Sequence, residues 1–169
     1  MPINATAGMV VEAWNDLDRA TADLKDQDAE QRIGTASPIS WSVAHVTSQV
    51  DSWLNAIFQG RSKHPFISDE RFRLGATGEP VDWAEVRSAV SAVRVSARPY
   101  LDSLADSELD RRFPYQGALL PLRETGITVR YALTRIAMHH YFHIGEIAAV
   151  RASLGHQIGD FPGQLEACL

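Results

Sequence analysis

Residues 129–154 read VRYALTRIAMHHYFHIGEIAAVRASL, and their spacing decides the fold. Val129, Leu133, Ile136, His140, His143, Ile147, Val150 and Leu154 recur at three- and four-residue steps, the period of one face of an α-helix. The helix is expected to start near Thr125 to Thr128 and to stop at Leu154, with Arg151 in its last turn and Gly155 as its cap. Three histidines fall within five residues of its middle: His139, His140 and His143.

Three further segments carry the same period. The first runs from about Ala7 to Lys25 through Val10, Trp14, Leu17, Thr21 and Leu24, and the charged tract that follows reads as a loop. The second opens at Ser37-Pro38, read as an N-cap followed by proline at the first helical position. Its stripe is Val43, Val46, Val50, Trp53 and Ile57, and Gly60 stops it. The third begins at Asp82, with Glu85 as capping partner, and continues through Val86, Val90, Val93, Leu101 and Leu104. Pro99 is expected to kink it, because Val95 loses its hydrogen-bond donor. The connectors 61–80 (Pro65, Gly75, Gly78, Pro80) and 106–125 (Pro114, Gly117, Pro121) are punctuated by glycine and proline, with one short extended piece expected at Arg112 to Tyr115. The predicted fold is all-α: a four-helix bundle with long connectors, one domain over residues 1–169.

Composition narrows the function classes. The chain is 45% hydrophobic and 22% charged, in the ordinary globular range. Its net charge of −5 argues against a nucleic-acid partner, which calls for a basic surface. Cys168 is the one cysteine, so neither an internal disulfide nor a cysteine-based zinc site can form. No apolar run approaches the ~18 residues of a membrane span, and no signal peptide opens the chain. The expectation is a cytoplasmic protein without a membrane partner.

The histidines carry the chemistry. At 100° per residue, His139 and His143 are offset by about 40° and can aim at one point, whereas His140 and His143 differ by about 60°. The plain alternative is a set of hydrogen-bonded polar residues at a helix edge. Buried neutral rings, however, need a cation or shared partners for their lone pairs. His45 sits at the edge of the second helix's stripe, from which it can face a neighbouring helix. One histidine plus a His-x3-His pair would supply three nitrogen ligands inside a bundle.

Trp41-Ser42-Val43-Ala44-His45 and His139-His140-Tyr141-Phe142-His143-Ile144-Gly145-Glu146-Ile147 resemble the second-helix and last-helix motifs of the DinB-like superfamily (DinB/YfiT type) of four-helix-bundle metalloproteins. The likeness continues through Arg151 and Leu154-Gly155-His156 and covers nearly the whole chain apart from the two connectors. It implies His45, His139 and His143 as ligands of a divalent metal ion, with His140 a neighbour. Zinc or nickel suits three histidines, and iron or manganese is also compatible. Members of the superfamily include transferases that use low-molecular-weight thiols such as mycothiol or bacillithiol. The resemblance therefore implies a thiol S-transferase acting on a small-molecule substrate, with the thiol as cosubstrate. The competing readings are a metal-dependent hydrolase using bound hydroxide and a non-catalytic metal-binding stress protein. A homodimer is a further expectation.

Glu146 lies three residues after His143 and seven after His139, so it shares their face as fourth ligand, general base or tautomer-fixing acceptor; its plain alternative is a salt bridge. Gly145 is expected to admit a neighbouring helix. Tyr141, Phe142 and Trp41 read as packing residues, although Trp41 can also wall the site. His64 and His156 read as solvated. Arg71, Arg73 and Arg123 are candidate partners for a substrate carboxylate. Both connectors are expected to roof the cleft.

Overall fold

The structure is a computed structural model, and it describes residues 3–168. Helix α1 spans Ala5–Thr21 and is capped by Asn4, whose side chain accepts from the Thr6 and Ala7 amides. A short helix α2 (Asp26–Glu30) occupies the charged tract read from sequence as loop. Helix α3 runs Ile39–Val50 and continues without a break as a π-helix over Asp51–Phe58. Helix α4 spans Trp83–Asp102 and contains Pro99. A two-residue strand β1 (Arg112–Phe113), a short helix α5 (Leu120–Thr125) and strand β2 (Ile127–Thr128) precede the long helix α6 (Val129–Ser153).

The four long helices were legible; several details were not. The second helix begins one residue past Pro38, and no side chain caps it, so Ser37 is not its N-cap. Ile127 and Thr128 pair antiparallel with Phe113 and Arg112, so α6 starts at Val129, with Thr128 as its cap. The extended piece at Arg112 was expected; its partner, two residues ahead of a helix, had no pattern to reveal it. α6 ends as predicted, and Gly155 takes the left-handed φ of 81° that favours glycine there.

The bundle buries Val10, Trp14 and Leu17 of α1, Val43, Val46 and Val50 of α3, and Val86, Val93 and Leu101 of α4. They meet Leu133, Ile136 and Ile147 of α6 in one core. α1 packs along α6, and Arg151 locks their ends together. Its guanidinium is buried and donates to the Ala20 carbonyl and to both oxygens of Asp23 (2.7 and 3.1 Å). The C-terminal residues return to α1, where Gly163 and Ala167 amides donate to the buried carboxylates of Asp16 and Glu12. Cys168 is half-buried there, and its thiol is pushed up by burial and by Glu12, the opposite of an activated thiolate.

The π-helical stretch rotates the predicted stripe. Its wider turn buries Leu54, Asn55 and Phe58 and leaves Ile57 half-exposed. Asn55 donates to Asp51 (2.9 Å) and across to the Val93 carbonyl of α4 (3.2 Å), while Asp51 accepts from the His64 amide (2.8 Å). This buried network ties α3, α4 and the start of the 61–80 connector together. Because Asn55→Ala strips a donor from buried Asp51, it is expected to cost about 1–3 kcal/mol. Urea unfolding followed by circular dichroism measures this, and an unchanged midpoint would contradict the network's structural role.

Candidate metal centre

α3 and α6 pack antiparallel, so that Gln49 meets His139 and His45 lies between His139 and His143. The ring centroids of His45 are 4.9 Å from His139 and 5.1 Å from His143, both edge-on. One ring nitrogen from each of the three lies within 4.8 Å of the others. His45 and His143 are buried and His139 is half-buried.

The outer nitrogen of each ring faces an oxygen. His45 Nδ1 donates to the Phe72 carbonyl at 2.6 Å, and His139 Nδ1 donates to the Gln49 amide oxygen at 3.1 Å. His143 Nδ1 has Glu146 Oε2 at 2.6 Å, close in distance but outside hydrogen-bond direction, so this nitrogen lacks a formal hydrogen-bond partner among the described residues. At His45 and His139 the acceptors at Nδ1 hold the proton there and leave Nε2 as a bare lone pair. The Nε2 atoms of His139 and His143 lie 3.1 Å apart. At that distance either one ring carries its proton on Nε2 and donates to the other, or a cation takes both lone pairs.

A proton is a poor candidate for that cation. Burial, then the charges of His45 and Arg135, lowers the His139 pKa to about 4. Burial, then His139 and His45, lowers that of His143 to about 3. His45 is also lowered by burial, against the opposing effect of the Phe72 carbonyl. All three rings are therefore neutral near pH 7, the state in which imidazole binds metals. Nitrogens around tetrahedral zinc, at ~2.0–2.1 Å from the ion, lie ~3.3 Å apart, so small side-chain movements would fit this cluster to such an ion. The donor set fits a divalent metal.

The other sequence candidates fall into place around this cluster. His140 is fully buried, its Nδ1 donates to the Ile136 carbonyl, and it stands outside the cluster. Glu146 approaches His143 on the nitrogen remote from His139, the place of an orienting acceptor; burial raises its pKa. It makes no salt bridge to Lys or Arg among the described residues. Trp41 packs in the core and also walls the site, stacking on His45 (4.8 Å, 9°) while its indole N–H donates to the Arg71 carbonyl.

Other expectations are corrected. Gly145 faces open space rather than a neighbouring helix. Phe142 is 63% exposed instead of packed, touching only the edge of His143's ring among its aromatic neighbours. Tyr141 does pack, its hydroxyl donating to Asp16. His64 and His156 are half-buried, the latter paired with Asp28, rather than solvated. The three arginines make local contacts inside their connectors, Arg71 over Phe66 and Phe72, Arg73 with Glu70 and Arg123 on the Gly117 carbonyl, and the Arg71 and Arg73 side chains stay in solvent contact. Of the two connectors, 61–80 does reach the cluster, at His45, through the carbonyl of buried Phe72. Connector 106–125 packs instead on the π-helical stretch, Phe113 on Phe58 and Tyr115 on Trp53.

Sequence reading missed Gln49 and the Phe72 carbonyl. Gln49 stands four residues after His45 on the same helix, a spacing that could have exposed it. A backbone carbonyl in an aperiodic connector leaves no signal in a sequence.

The depressed histidine pKa values set a pH dependence. The unfolded chain takes up protons at these rings near their ordinary pKa of ~6.5, whereas folded His139 and His143 resist until about 4 and about 3. Their contribution to the stability of the metal-free protein is therefore full above ~pH 6.5 and is lost as pH falls toward the folded values. Tm is expected to drop between pH 7 and 5 more steeply in wild type than in the His139→Gln/His143→Gln double variant. Parallel profiles for the two proteins in scanning calorimetry would refute this.

Comparison with known proteins agrees with the geometry. No curated protein matches the chain. A crystal structure titled as that of a conserved protein of locus from Enterococcus faecalis matches with a TM-score of 0.69 at 14% identity. The match covers 92% of this chain and 99% of that one, a likeness of fold. The family model for the DinB superfamily matches residues 9–147, a span that holds all three histidines of the cluster. By that match, and with an all-α bundle to support it, the chain belongs to the DinB superfamily.

Proposed function

We propose that this protein is a divalent-metal-dependent enzyme in which His45, His139 and His143 hold the ion, and that its reaction is transfer of a low-molecular-weight thiol to a small electrophile. The observation that carries the metal reading is the convergence of imidazole lone pairs, with the opposite nitrogens turned to Phe72, Gln49 and Glu146. Three neutral ligands favour an anionic partner at a divalent centre, which would hold a thiol in its deprotonated, nucleophilic form. No cysteine of this chain belongs to the histidine cluster, so the thiol comes from outside.

The residues divide the work. Gln49 and the Phe72 carbonyl fix the rings of His139 and His45 in one tautomer, which removes the cost of orienting them when the ion binds. Glu146 stands beside Nδ1 of His143 without that directed bond, and its carboxylate, half in solvent, would take up the thiol proton and pass it to water. Phe72 and Trp41 exclude water from one side of His45.

Two measurements test this reading. Metal analysis is expected to find one ion per chain in wild type and His140→Ala, and less than one tenth of that in His45→Ala, His139→Ala and His143→Ala. Equal metal content in wild type and His143→Ala would remove the assignment. For the thiol, zinc-loaded protein is expected to bind 2-mercaptoethanol with release of about one proton near pH 7, since a free thiol has a pKa of ~8.5. Calorimetry in buffers of different ionisation enthalpy counts that proton. Identical binding by metal-free and zinc-loaded protein would end the transferase reading.

A further inference from the structure

One turn beyond the histidines, the α3–α6 seam opens into a groove of about 200 Å³. Ile33, Ile39, Ile147 and Val150 give it apolar walls, and Ser42 and Glu146 are among its polar groups. Ser42 precedes His45 by three residues and Glu146 follows His143 by three, so groove and cluster are built on the same two helices. Glu146 belongs to both: it lines the groove, and its Oε2 lies 2.6 Å from His143 Nδ1. A ligand touching Glu146 in the groove is therefore one side chain from the metal ligands.

Size and charge restrict the occupant. An apolar cavity of ~150 Å³ is enough for benzene, so this groove takes a ring or branched alkyl group of about six to eight heavy atoms. No Lys, Arg or His lines it among the described residues. A carboxylate, sulfonate or phosphate placed there would lose its hydration with no cation in return and would face Glu146.

We infer that the groove binds a neutral, benzene-sized apolar arm of the substrate and rejects anionic ones. The inference rests on the proposed metal reading only for what meets the other end of that substrate. Methyl NMR with benzyl alcohol and benzoate as probes tests it, on metal-free and zinc-loaded protein. Benzyl alcohol is expected to shift the methyls of Ile39, Ile147 and Val150 saturably in both forms, with benzoate at least tenfold weaker. Ala149 is exposed on the rim, and Ala149→Trp should fill the groove and weaken benzyl alcohol at least fivefold. Ser153→Phe, also exposed on the rim, should act alike, so a folding defect in one variant does not decide the outcome. Absence of saturable shifts, equal affinity for benzoate, or unaltered affinity in both folded variants would overturn the inference. Zinc content of the same samples is a separate readout: groove binding in protein that takes up no zinc would strike the metal reading and leave the groove standing.

Discussion

Three neutral imidazoles pressed together cannot satisfy one another, and this constraint organises the protein's centre. Each ring has one nitrogen turned to a fixed oxygen, the Phe72 carbonyl, the Gln49 amide or the Glu146 carboxylate. The remaining nitrogens face inward, where burial opposes their protonation. A divalent cation resolves that arrangement, because it accepts all three lone pairs at once. Without one, the two Nε2 atoms 3.1 Å apart are satisfied only if one ring donates to the other, which still leaves the inner nitrogen of His45 without a partner in the cluster.

The cluster depends on structure well outside it. The Phe72 carbonyl reaches His45 only because the 61–80 connector folds back over α3. That path is set at one end by Asp51, which accepts from the His64 amide, and near the other by Arg71, whose carbonyl accepts from Trp41. Asp51 is held by Asn55, and Asn55 by α4. Asp51 and Asn55 stand four residues apart and so share a face, and the π-helical stretch turns that face inward together with Leu54 and Phe58. A departure from regular helix thus serves the site two turns away.

Glu146 couples the cluster to the solvent-facing part of the seam. Its side chain is about half exposed yet stands 2.6 Å from the buried His143 ring, so it connects that ring to water. The neighbouring groove lies on the same side, and Gly145 beside it faces open space. Over His45 the 61–80 connector closes the cluster, whereas His139 at its other end is half-buried.

The sequence by itself determined the four long helices, since periodic burial is written residue by residue, and it determined which of them carry histidines. The His139-x3-His143 spacing fixes the geometry of that pair within one helix, where the backbone alone sets the offset between side chains. It also marked Thr128 and Gly155 near the ends of α6, where capping chemistry is local. Only the tertiary structure decided that His45 meets the pair, because that contact depends on how α3 packs against α6. It alone decided Glu146's place on the outer nitrogen, the open surface at Gly145 and the exposure of Phe142, which spacing within one helix cannot distinguish from burial. The π-helical turn and the Phe72 carbonyl belong to the same class. The first is a shift of backbone bonding within one helix and the second a carbonyl meeting His45 on another segment, and backbone groups are the same in every residue, so no letter of the sequence records either.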